Sequence, residues 1–172
     1  MVIIKIKAGL GNQMFQYAFG RALSLERKEP LFLDASYYID QPKLDAKRDF
    51  ALEKFNIQAT ILPNEEIKKY NPYYKILLRK IYNRIKKSDV SVAYKYDSEL
   101  IKSKDAYYEG YWLNQKYFLK YRNEIAQDFS LKNPLSEIAQ KIASEITSCA
   151  QEGKTSVSLN IRRGDFVSSP LA

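Results

Sequence analysis

The sequence predicts an α/β fold built on a parallel sheet, and three stretches carry that reading. Val2-Ile3-Ile4-Lys5-Ile6 is an apolar, β-branched run, a glycine turn and a helical pattern follow it, and Leu31-Phe32-Leu33-Asp34 is a second apolar run. Strand, turn, helix and strand in that order open a sheet covered by helices. A run that stays apolar, without alternation, suits a strand buried on both faces.

The elements follow in order. Residues 1–7 read as the first strand and Ala8–Gln13 as the turn. A helix is predicted from about Asn12 to Lys28, with Phe15, Ala18, Phe19, Ala22 and Leu23 at helical spacing on its inward face. Leu31–Asp34 is the second strand. Arg48–Ile57, with Phe50, Leu52, Phe55 and Ile57, reads as a short strand or extended segment. Pro63-Asn64-Glu65-Glu66 is a helix start, interrupted at Pro72, and Tyr73–Lys87 is a basic amphipathic helix. Tyr107–Trp112 is an aromatic strand ending in a turn. Helices over Lys116–Asp128 and Ser136–Ala150 follow, and after the polar break Gln151–Lys154 a new strand is predicted over Thr155–Ile161. The domain boundary is set near residue 150, giving domains 1–150 and 151–172.

Composition excludes several functions. The 172 residues contain no histidine, so the chain can supply no Ser-His-Asp triad, Cys-His pair or His-ligated zinc site. A general base must be Asp, Glu, Lys or Tyr. Cys149 is the lone cysteine, which rules out a disulfide framework within the chain and fits a reducing, cytoplasmic setting. No apolar run is long enough to cross a bilayer, and Lys5 and Lys7 break the apolar start that a signal peptide would need. The net charge of +8 is matched by the eight basic residues between Lys68 and Lys87, a stretch with no acid. The rest of the chain is balanced. A nucleic-acid partner is not expected, and the basic segment reads as a solvated helix face or a peripheral contact with anionic lipid.

Four groups of residues offer chemistry. In Gly9-Leu10-Gly11-Asn12-Gln13-Met14 the glycines let the backbone approach a ligand at a helix start. Met14 stands where a dinucleotide fingerprint has its third glycine, so the plainer reading is a tight turn with Asn12 as helix cap. In Arg162-Arg163-Gly164-Asp165 paired guanidinium groups suit a diphosphate, with Gly164 permitting a bend; the alternative is an ordinary Arg–Asp pair at a strand end. Glu109, Tyr111, Trp112 and Asn114 would suit a sugar ring, with its apolar faces and hydroxyl edges, or would be core. The Lys68–Lys87 segment is the fourth.

The residues from Ile6 to Ala18 and from Val157 to Val167, separated by about 150 positions, together resemble the α-1,2-fucosyltransferases of glycosyltransferase family 11. Arg48–Ile57 and Glu109-Gly110-Tyr111-Trp112 followed by Lys116-Tyr117-Phe118 are similar to the family's intermediate landmarks. The resemblance implies a GT-B architecture, in which residues 1–150 form the Rossmann-like, acceptor-side domain and 151–172 the first strand of the donor domain. It implies inverting transfer of L-fucose from GDP-fucose to a galactose 2-hydroxyl, with no metal and no cofactor, in the synthesis of surface glycans. The acceptor would be a galactose-containing oligosaccharide or a lipid-linked glycan.

By the same resemblance Arg162 and Arg163 contact the donor diphosphate and Asp165 holds their geometry. Gly9, Gly11, Asn12 and Gln13 face the cleft from the other domain. Asn160 stands where the family has histidine, keeping a donor and an acceptor but no charge. Asp34, Glu109 and Asp165 are the carboxylates available as general base, and nothing in the sequence ranks them. Family members extend further beyond the arginine motif, so the reading is of an N-terminal portion, weakly active or inactive alone. The rival is a non-catalytic remnant that holds a glycan or a membrane surface.

Overall fold

The computed structural model describes residues 1–41, 47–70, 94–102 and 104–159. The predicted basic helix Tyr73–Lys87, Pro72, and the whole of the arginine motif from Asn160 lie outside the described residues. The chain separates into two compact units, Met1–Ser130 and Leu131–Ala172.

In the first unit, strand β1 (Val2–Lys5) leads into helix α1 (Leu10–Arg27) and strand β2 (Leu31–Asp34). Strand β3 (Thr60–Ile61), helix α2 (Asn64–Tyr70), helix α3 (Ser98–Lys102), strand β4 (Tyr107–Tyr108) and helix α4 (Arg122–Asp128) follow among the described residues. The sheet is parallel, in the order β3-β2-β1-β4. Val2 pairs with Leu31 and Lys5 with Asp34 on one side of β1, and Ile3 with Tyr107 on the other. The apolar runs behave as their composition requires. Val2, Ile4 and Ile6 pack with Tyr17, Phe19 and Leu23 of α1, while Ile3 faces the other way onto Leu62 and Ile67. Both faces of β1 are therefore covered.

Phe19 is the centre of the larger core. It stacks on Trp112 with centroids 4.1 Å apart and planes 13° from parallel, and meets Tyr108 and Tyr117 edge to face. Gly20 lies where α1 touches β1. A Cβ there would overlap Ile4 Cγ1 and lie 3.0 Å from Leu31 Cδ1, so those side chains, or the helix itself, would have to shift. Gly20→Ala should cost about 1–3 kcal/mol despite its better helix propensity. A thermal melt at or above the wild-type temperature would contradict this packing.

Several elements differ from the sequence prediction. α1 begins at Leu10, so Gly11 and Asn12 lie inside its first turn and Asn12 is not the cap. Gly9 occupies that position, with no side-chain cap hydrogen bond. Arg48–Ile57, read as a short strand or an extended segment, forms no strand of the sheet: it holds a 3-10 turn at Leu52–Lys54 and an extended bridge residue at Phe55, and Gln13 takes up the Asp49 carbonyl and the Ala51 N–H. The aromatic strand is confined to Tyr107–Tyr108, and Lys116–Asp128 breaks into two 3-10 turns before α4.

In the second unit helix α5 (Glu137–Gln151) forms as predicted and carries Ile138, Ile142 and Ile146 exposed on one stripe. This helix, assigned from sequence to the end of the first domain, lies in the second compact unit. Thr155–Leu159, the described part of the predicted final strand, is not a strand, and Val157 and Leu159 are 88% and 84% exposed. A strand forms only against a neighbour that takes its backbone hydrogen bonds, and among the described residues none pairs with it.

Candidate functional site at the carboxyl edge of the sheet

The chain leaves β1 through α1 to β2 on one side, while β4 flanks β1 on the other. In an open parallel sheet the carboxyl ends of two such strands diverge into connections on opposite sides, and ligands bind in the resulting crevice. The residues at that edge are Lys5 to Gln13 after β1 and Glu109 to Tyr111 after β4.

The loop after β1 is held by polar side chains that the sequence reading did not single out for that role. Ala8 takes the left-handed conformation at φ 67°. Its carbonyl accepts from Gln13 Nε2 at 3.0 Å and from the Tyr38 hydroxyl at 2.9 Å. Gln13, fully buried, also donates to the Asp49 carbonyl at 2.8 Å and accepts from the Ala51 N–H at 2.9 Å. Gln16, equally buried, accepts from the Lys7 N–H at 2.9 Å and donates to the Gly110 carbonyl at 3.2 Å. One glutamine thus shapes the β1–α1 loop, and the next ties it to the loop after β4. Burial pushes the Tyr38 hydroxyl up from its ordinary value, so it remains a donor to Ala8 well into alkaline solution.

This geometry changes the reason for the glycines. The residue with positive φ is Ala8, whereas Gly9 has φ −74° and Gly11 is helical. Neither glycine is demanded by the turn. A Cβ at either would meet nothing within 4 Å, so packing does not demand them either. Glycine in a helix is unfavourable by about 1 kcal/mol relative to alanine. What two bare positions do provide is close approach to the backbone at the helix start, whose first N–H groups lack partners within the helix.

Just after β4, the Glu109 side chain is 17% exposed, and its carboxylate lies 3.4 Å from Lys7 Nζ and 4.0 Å from Lys5 Nζ. Lys7 Nζ also lies 4.9 Å from the centre of the Tyr111 ring, which is exposed. Asp34, the other candidate base among the described residues, is fully buried. Its Oδ1 accepts from the Ser36 N–H at 2.9 Å and its Oδ2 from the Tyr107 hydroxyl at 2.5 Å, so it fixes the end of β2. Asn12 is half-buried in the first turn of α1. Asn160, Arg162, Arg163 and Asp165 lie outside the described residues.

A further polar cluster lies behind α1. The Tyr17 hydroxyl donates to Asp128 Oδ2 at 2.6 Å, Arg21 Nε reaches the same oxygen at 2.9 Å, and the Gln58 N–H donates to the Tyr17 hydroxyl at 2.9 Å. It fastens α1, and with it the site loop, to α4.

The family model described as glycosyl transferase family 11 matches residues 1–172. The chain belongs to glycosyltransferase family 11. Two Escherichia coli proteins are similar to this family 11 chain. One, named alpha-1,2-colitosyltransferase, is 31% identical and is matched over 98% of this chain and 56% of its own length. The other, O-antigen biosynthesis glycosyltransferase WbnK, is 30% identical over 97% of this chain and 60% of its own length. The family 11 chain therefore spans rather more than half the length of these relatives. No solved structure matches it.

Proposed function

We propose that this family 11 glycosyltransferase chain serves the inverting transfer of L-fucose from GDP-fucose to a galactose 2-hydroxyl of a glycan, without a metal. The observation that carries the proposal is the family match, which runs through both the glycine loop and the arginine motif. The open glycines at the carboxyl edge of β1 support it from the structural side.

The chemistry asked of the residues is specific. As the glycosidic bond to fucose breaks, negative charge grows on the departing β-phosphate, and fixed guanidinium groups at Arg162 and Arg163 would stabilise it. Asp165 would orient one guanidinium, and Asn160 would offer the donor an uncharged amide. Gly9, Gly11 and Asn12 would form the facing wall. Gln13 would act through the loop, since its side chain is committed to Ala8, Asp49 and Ala51. The proton of the acceptor hydroxyl needs a base. With Asp34 buried, Glu109 and Asp165 remain as the candidates.

The name of one relative specifies a second donor, colitose. Colitose lacks the 3-hydroxyl of fucose, and a site built to hydrogen-bond a hydroxyl strongly rejects the analogue without it. GDP-fucose and GDP-colitose should therefore be titrated side by side, in the presence and absence of EDTA. Selective binding of GDP-fucose, unchanged by EDTA and weakened about tenfold or more by Arg162→Ala, is the expected result. Preference for GDP-colitose would move the donor assignment, and an Arg162→Ala variant of unaltered affinity would overturn the role of the arginines.

A further inference from the structure

Glu109, Tyr111, Trp112 and Asn114 read from sequence as one cluster suited to a sugar, and the structure divides it. Trp112 is buried and stacked on Phe19. Asn114 accepts from the Lys116 N–H at 3.0 Å and donates to the Tyr94 carbonyl at 2.8 Å, closing a 3-10 turn. Those two are structural. Glu109 and Tyr111 instead stand at the carboxyl edge of the sheet with Lys5 and Lys7.

We propose that Glu109, Tyr111 and Lys7 form a hexopyranose-binding subsite at the β1–β4 carboxyl edge, and that this subsite receives the acceptor sugar. The word acceptor rests on the glycosyl-transfer reading above; the subsite itself rests on three local observations. A pyranose ring has a C–H face that packs on an aromatic ring and hydroxyls around its rim. Tyr111 supplies the ring, 37% exposed. Glu109 supplies a partly exposed carboxylate that can accept from a hydroxyl group, and charged acceptors form the stronger hydrogen bonds. Lys7, whose Nζ lies 3.4 Å from the Glu109 carboxylate, supplies donors to the same rim.

The arrangement is also ordered before any sugar arrives. Lys5 and Lys7 hold the carboxylate, Lys7 lies against the Tyr111 ring, and Gln16 grips the Gly110 carbonyl between the two binding residues. Side chains already fixed lose less freedom on binding. The position agrees with the topology, since this is the edge where the connections of the sheet diverge.

The test is titration of the full chain with lactose, a galactose-terminated disaccharide, and separately with GDP-fucose. Glu109→Gln and Tyr111→Leu should each weaken lactose binding about tenfold, Tyr111→Trp should retain it, and GDP-fucose affinity should stay unchanged in all three. Tyr111→Leu alters an exposed ring, so the test survives if Glu109→Gln folds poorly. Lactose affinity unaffected by either substitution overturns the subsite, as does a wild-type chain that binds GDP-fucose but no lactose. Lactose binding that follows the variants in a chain unable to bind GDP-fucose upholds the subsite and rejects the donor reading instead.

Discussion

Asp128→Ala should lower the stability of the chain by about 3 kcal/mol, a fall in melting temperature of roughly 10 °C. The carboxylate is buried and holds both the Tyr17 hydroxyl and Arg21 Nε on one oxygen. Removing it leaves a guanidinium and a phenol facing a space they cannot fill, and an uncompensated buried charge costs more than the intact pair contributed. Asp128→Asn, which keeps an acceptor, should cost less. Thermal melts of the two variants check the ordering, and equal melting temperatures for wild type and Asp128→Ala would remove the cluster from the account.

The same cluster sets an alkaline limit. Burial first, and then the hydrogen bond to Asp128, push the Tyr17 hydroxyl above its ordinary value of 10.0. Below that value the phenol is protonated in both folded and unfolded chains, and its contribution is complete. Above it the unfolded chain releases a proton that the folded chain retains, so stability falls as pH rises. Tyr17→Phe should shallow that decline in denaturant midpoints measured from pH 9 upward. An undiminished slope would show that Tyr17 does not govern it.

Gln13→Ala should be nearly as damaging, at about 2–4 kcal/mol, and should also impair ligand binding. It strips one donor partner from the carbonyls of Ala8 and Asp49 and leaves the Ala51 N–H without its acceptor. Ala8, whose φ of 67° is unfavourable for a residue with a Cβ, then loses one of the two donors that hold it. Loosening of Gly9 and Gly11 should follow. Gln13→Glu is no substitute, because it turns a carboxylate oxygen towards two carbonyls. A Gln13→Ala chain with wild-type stability and wild-type GDP-fucose affinity would mean that the loop is shaped by something else.

These two clusters also mark where sequence reasoning succeeds and stops. The β1–α1–β2 opening was legible because an apolar run reports burial, and β1 and β2 are apolar up to the charged residues, Lys5 and Asp34, at their carboxyl ends. Gln13, Gln16 and Tyr17 were not recognised as core, because periodicity counts apolar residues and passes over buried polar ones. Their signal was present. Positions 13, 16 and 17 continue the stripe of 20, 23 and 24, so polar side chains there had to find internal partners.

The aromatic strand was predicted too long for a related reason. Composition shows that Tyr107–Trp112 is rich in aromatic residues, but not that Trp112 turns onto Phe19 or that Gln16 takes the Gly110 carbonyl. The final strand, Thr155–Ile161, had the right composition; its described residues show no strand, because pairing depends on a neighbour that local sequence does not specify. In the glycine loop the residues were legible with two readings, close approach of a ligand or a tight turn capped by Asn12; the positive φ falls on Ala8, Asn12 is not the cap, and neither Gly9 nor Gly11 is demanded by the turn.

Gly11 offers the most direct test of whether the carboxyl edge of β1 is bare so that a ligand can approach the backbone. Gly11→Ala adds one methyl group where nothing lies within 4 Å. If the edge is a ligand face, the substitution should raise stability by about 0.5–1 kcal/mol through helix propensity and weaken GDP-fucose binding about tenfold. A Gly11→Ala chain that is more stable and binds GDP-fucose as tightly as the wild type would contradict it.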